Sequence, residues 1–160
     1  RWVFAGVGQY AAEIEQLSRD ERYDVEYLGR VSNVEAIEVQ KSSHLLLCKR
    51  GGVHSKINQY YSKYAASGKL TEYLCSGTPI LAGDIPAFSQ AIRPFATFEK
   101  HQTVGRIIKD LADIKDNYAG KVAQAKKGQD YAFKYFNARY QNKKIYDFLE
   151  SLPGPRSKNT

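Results

Sequence analysis

A chain of 160 residues with 24 Lys and Arg against 17 Asp and Glu, a formal net charge of +7, is long enough to bury one substantial core. The balance favours anionic partners such as nucleotide phosphates, an acidic membrane face or nucleic acid, although it equally suits an evenly solvated basic surface. Two cysteines make no disulfide framework, which points to a reducing compartment, and no run has the length and apolarity of a bilayer span or a secretory signal.

Residues 2–5 form an apolar strand, expected to be buried, and Gly6-Val7-Gly8 is the turn that follows. A helix over residues 10–19 comes next, with Ile14 and Leu17 as its buried face. A single G-x-G after a strand more often reflects close packing of strand and helix than a phosphate loop. Here no third Gly and no acidic strand tip complete a dinucleotide fingerprint. Residues 23–28 alternate Tyr23, Val25 and Tyr27 with charged neighbours as a second strand, ended by Gly29-Arg30-Val31. Ser32 or Asn33 caps a helix over residues 34–42, with Glu35 placed early where the dipole favours a carboxylate.

Residues 45–48 are apolar throughout, the signature of a central parallel strand. Lys49-Arg50-Gly51-Gly52-Val53-His54-Ser55-Lys56 follows at the strand's carboxyl end, where open α/β sheets bind ligands. His54, Ser55 and Lys56 are therefore candidate diphosphate or sugar contacts, while a solvated loop is the commoner explanation for any one of them. A Tyr-rich helix or turn with Tyr60, Tyr61 and Tyr64 leads into residues 67–86, the most informative stretch. There a helix begins after Ser67-Gly68 and stops at Ser76-Gly77, where Gly takes the left-handed conformation that closes a helix. Pro79 then leads a strand over residues 80–82 that is covered on both faces. Glu72 falls in the first or second turn of that helix. Its amides and positive dipole end suit phosphates, and a carboxylate there can accept both hydroxyls of a ribose.

Beyond it, Asp84 orients a loop by an Asx-type turn, residues 86–92 form a short helix started by Pro86, and residues 94–98 a fifth strand. Residues 101–115 are amphipathic, with Val104, Ile107, Ile108, Leu111 and Ile114 on one face. Residues 118–152 are helical again, broken or bent near Gly128 and Asn137. Tyr131, Phe133, Tyr135, Phe136, Tyr140, Tyr146 and Phe148 stand there beside Lys126, Lys127, Lys134, Lys143 and Lys144. Such interleaving can bind single-stranded nucleic acid or an anionic membrane, but helical spacing favours core packing. His44, His54 and His101 are isolated by spacing, so no metal-ligand cluster is expected.

Taken together, Ser67, Lys69, Leu70, Glu72, Tyr73, Ser76, Gly77, Pro79, Ile80, Ala82, Asp84 and Pro86 fit in order a pattern that resembles the donor-binding segment of GT-B glycosyltransferases, in particular the retaining group 1 or family 4 type. The resemblance covers nearly the whole chain, with looser support from Gly6-Val7-Gly8 and Leu28-Gly29-Arg30-Val31. It implies an α/β fold, a Rossmann-like parallel sheet with helices on both faces, over residues 1–150, with residues 151–160 as a disordered tail. It further implies transfer of a sugar from a UDP- or GDP-type donor in bacterial polysaccharide or glycan synthesis, without metal or other cofactor. Arg30 and Val31 would line the base pocket, and Ser67, Gly68, Lys69, Leu70 and Glu72 would hold ribose and diphosphate. Many members carry a second, sugar-facing glutamate where this chain has Tyr64, so Tyr64 is at most a sugar contact and the catalytic residues stay unassigned. The start at Arg1 without any Met reads as a fragment whose partner is an amino-terminal domain of the same protein, inactive alone. The location expected is cytoplasmic, with peripheral contact to an acidic membrane; nucleic acid is not expected as a partner. The alternative function is a nucleotide-binding module of the same fold without chemistry, and after it a basic membrane- or nucleic-acid-binding domain.

Overall fold

The computed structural model describes residues 1–48, 68–83, 91–99 and 103–152. They fall into two units, Arg1–Ser43 and His44–Thr160.

In the first unit β1 (Trp2–Ala5) and β2 (Val25–Gly29) pair in parallel, Trp2 opposite Val25 and Phe4 opposite Tyr27. The crossover between them contains α1 (Ala11–Ser18), and α2 (Asn33–Ser42) follows β2. Two glycines close the strands in backbone conformations that a side chain would strain, Gly6 at φ 122° and Gly29 at φ 62°. The ends are tied together: the Gly6 amide donates to the Gly29 carbonyl at 2.6 Å, and the Tyr27 hydroxyl to the Gly6 carbonyl at 2.9 Å. Ser32, rather than Asn33, caps α2, in a reciprocal box with Glu35.

Burial in this unit departs from the sequence expectation. Trp2 is 46% exposed and its strand neighbours are also open, while on α1 Ile14 is only half-buried and Leu17 is 42% exposed. A two-stranded ladder with two short helices has too few apolar neighbours to enclose both faces of a strand.

The second unit is built on three parallel strands in the order β3 (Leu46–Cys48), β4 (Ile80–Gly83), β5 (Thr97–Glu99). Leu46 lies opposite Ile80 and Leu81 opposite Thr97, so β4 is central, and all four of its residues are buried. The crossover helix α3 (Gly68–Ser76) precedes β4; α4 (Val104–Asp116), α5 (Tyr118–Tyr135) and α6 (Ala138–Ser151) follow β5. Leu70 and Leu74 of α3 meet Ile80 and Ala82 of β4, Ile92, Ala96 and Ala132 of α5 in one core. The overall class is thus parallel sheets flanked by helices, as the alternation of apolar strands and helical periods predicts.

Three local expectations are corrected. Pro94 and Phe95 belong to a 3-10 turn, Arg93–Phe95, because a fixed φ and a missing N–H suit a tight turn better than a ladder; β5 therefore starts at Thr97. Gly128 does not break α5, which runs through it; the break falls at Asn137, whose side chain accepts from the Tyr140 amide at 2.8 Å as the cap of α6. Core packing of the late aromatics holds for only part of the set. Tyr131 stacks near Phe95, Tyr135 and Phe136 with ring centroids 5.0, 4.7 and 5.5 Å apart, whereas Phe133, Tyr146 and Phe148 are exposed. Likewise Ile114 alone of the α4 stripe is fully buried, and Val104 is 74% exposed. Among the described residues no helix is long and apolar enough to cross a membrane.

Candidate functional site

The site is centred on α3, whose position follows from its sequence. Leu70 and Leu74, four apart, turn one face into the core with almost no exposure and leave Lys69 and Glu72 on the opposite, open face. The helix stops at Gly77, φ 72°, and its last carbonyls are satisfied one by one. Ser76 Oγ donates to Tyr73, the Gly77 amide to Leu74, and Gln129 Nε2 to Cys75 at 2.8 Å. Because α3 returns the chain between two parallel strands, its amino-terminal turn lies at the carboxyl ends of the sheet.

Lys69 and Glu72 form an ion pair, Nζ to Oε2 2.8 Å, with side chains 53% and 57% exposed. The hydrogen bond to Glu72 is the main reason that the Lys69 ammonium is held above its ordinary range. An exposed pair three residues apart on a helix is worth only about 0.2–1 kcal/mol, so a ligand can open it cheaply. Tyr73 completes the group: the Lys69 ammonium lies 6.0 Å from its ring centroid, and burial pushes its hydroxyl up, which keeps it a neutral donor. Burial also pushes the Cys75 thiol up, so it is a poor nucleophile, and neither cysteine is in a disulfide.

A second acidic group stands at the end of β5. Glu99 is 5% exposed, and Arg106 Nε of α4 lies 3.7 Å from its Oε2. Burial first, then the neighbouring Glu99 carboxyl, raises Asp110 of α4 above the ordinary carboxylate range, and its Oδ2 is buried with no partner among the described residues. No sequence cue marks this pair, whose members are eleven residues apart on a strand and a helix. Among the described residues no cluster of His, Cys, Asp and Glu could hold a metal.

Of the residues singled out from sequence, Gly68, Lys69 and Glu72 lie together on the open face of α3. Leu70 shares that turn, but its side chain is wholly in the core, so only its main chain is available to a ligand. Arg30 is exposed and Val31 half-buried between Gly29 and the Ser32 cap, in the first unit; α3 is in the second. His54, Ser55, Lys56, Tyr64, Ser67 and Asp84, together with residues 153–160, lie outside the described residues.

No protein-family model matches the chain, and no curated protein matches it. Among solved structures it is similar to the crystal structure of Anabaena HepE in complex with UDP-glucose, with a TM-score of 0.69 over 94% of this chain. The chain has a Rossmann-like α/β fold. At 14% identity the likeness is one of fold, and the chain spans 40% of the length of HepE.

Proposed function

We propose that this chain is the donor-binding half of a sugar-nucleotide-dependent glycosyltransferase of the GT-B fold. What carries the reading is Glu72, held open beside Lys69 on the helix that enters the carboxyl edge of a parallel sheet, inside the segment whose sequence resembles that family. The fold shared with HepE, a protein crystallised with UDP-glucose, supports it. In this reading the ribose hydroxyls donate to the Glu72 carboxylate and displace Lys69. The amides of the first turn of α3 then meet the diphosphate, with the released ammonium beside them. Because the nucleoside diphosphate is the leaving group, donors aimed at it count toward rate insofar as they tighten as its charge grows. Glu72 would position the donor and take no part in bond making.

Residues beyond this chain would supply the acceptor side. The open stripe of Ile145, Phe148 and Leu149, spaced as one face of α6, suits the contact with an amino-terminal domain that the resemblance implies. Retention of configuration, a role in polysaccharide synthesis and a cytoplasmic place at the membrane face belong to the same proposal.

Titration calorimetry with UDP and with GDP tests it. Saturable binding of one of them is expected, and Glu72→Ala should weaken it by on the order of tenfold or more, the loss of a charge-assisted hydrogen-bond pair. Binding to any polyanion with a steep salt dependence and no response to Glu72→Ala would refute it in favour of a basic surface. Sugar transfer by the full-length protein, lost in the same variant, separates an enzyme from a binding module.

A further inference from the structure

Polar side chains of α5 reach across to the elements packed against it. Lys121 Nζ donates to Thr97 Oγ1 at 3.0 Å, Gln124 Nε2 to the Pro94 carbonyl at 2.8 Å, and Gln129 Nε2 to the Cys75 carbonyl at 2.8 Å. The first two hold β5 and the 3-10 turn. The third grips the last turn of α3, three residues beyond Glu72 and on the helix that carries it. Its seat is closely fitted: a Cβ on Gly77 would stand 2.9 Å from Gln129 Cδ, and the neighbouring Gly128 lets α5 approach Leu74.

Apolar packing through Leu70 and Leu74 holds α3 against the sheet but is non-directional, and tolerates a small slide along the helix axis. A hydrogen bond to a terminal carbonyl, which the helix itself leaves unpaired, is directional. Such a slide matters because binding groups have to be held within about 0.5 Å of their productive place.

We propose that Gln129 is a positioning residue for the nucleotide site: by holding the Cys75 carbonyl it fixes the axial setting of α3, and with it the point at which Glu72 meets the ribose hydroxyls. The inference rests on the reading of Glu72 given above.

The test compares the nucleotide that binds, UDP or GDP, with its 2′,3′-dideoxy analogue by calorimetry on the whole chain, since the ratio of the two affinities isolates the ribose contact. The wild-type chain should prefer the nucleotide that keeps both hydroxyls, and Glu72→Ala should bring the ratio near unity. Gln129→Met keeps the volume beside Gly77 and removes the donor. It should lower the ratio by about three- to tenfold while the dideoxy analogue binds within about twofold of wild type. Gln129→Lys, whose ammonium can again donate to the carbonyl, should restore it. An unchanged ratio in Gln129→Met, or an equal loss for both nucleotides, overturns the role of Gln129 and leaves that of Glu72 standing. A wild-type chain that does not discriminate overturns both. Should Gln129→Met fail to fold, Gln129→Glu, isosteric and without a donor at neutral pH, is read in the same way.

Discussion

Gly128 and Phe95 are packed so closely that a side-chain carbon on the glycine would stand 2.8 Å from the Phe95 Cβ, with Leu74 Cδ2 at 3.1 Å. The Phe95 Cβ is anchored to its backbone and cannot swing aside. Overpacking of this kind costs about 1–3 kcal/mol, whereas Ala gains about 1 kcal/mol over Gly in a helix. Gly128→Ala is therefore expected to lose up to about 2 kcal/mol net in urea unfolding. A midpoint at or above wild type would contradict the close fit of α5 on the 3-10 turn.

The Lys69–Glu72 pair predicts a separation of stability from binding. With both side chains more than half exposed, Lys69→Ala should change unfolding free energy by less than about 1 kcal/mol. UDP binding by the variant should weaken and lose part of its salt dependence, as one cation fewer faces the phosphates. Glu72 holds the Lys69 pKa above its ordinary 10.5, so the pair's small contribution is complete below that value and is lost only as pH rises through the raised one. UDP affinity should accordingly show no Lys69 titration near neutrality. Full affinity in Lys69→Ala would remove Lys69 from the site.

Asp110 predicts a pH dependence on the acid side. Its folded pKa is raised above the ordinary 3.8, by burial and then by Glu99, so between those two values the folded chain binds more protons than the unfolded one. The stabilisation is complete below 3.8 and is lost as pH rises through the raised value. Asp110→Asn, which stays neutral beside Glu99, should flatten this decline and leave the chain more stable at neutral pH than wild type. Thermal unfolding at a series of pH values measures it; parallel curves for the two chains would show that the Glu99 contact has no such effect.

Ser32 and Glu35 satisfy each other's backbone amides at the start of α2, Glu35 N to Ser32 Oγ at 3.2 Å and Ser32 N to Glu35 Oε2 at 2.7 Å. Ser32→Ala is expected to destabilise that helix by about 1 kcal/mol, read as faster amide exchange in its first turn. The Ser32 amide also holds Glu35 below its ordinary 4.5, so the box contributes above that pH and fades as pH falls through the depressed value. Exchange rates equal to wild type would mean that the box does not hold the first turn.

Much of this protein is written in short-range chemistry. The run from Gly68 to Gly83 is legible because a left-handed glycine, a proline and the three apolar residues after it each restrict the backbone within a few positions of themselves. The Ser32 cap and the open face of Glu72 follow from the same local rules. Which apolar surfaces are covered is a matter of long-range packing. Trp2 and Phe148 carry the same apolar character as Leu74 and Ile80, yet the first two are exposed and the second two are core, because burial depends on which elements meet. For that reason Gly128 reads in sequence as a helix break and proves to be a point of close approach. Gln129, on a helix whose sequence carries no binding motif, comes to hold α3 through a contact 54 residues away in the chain.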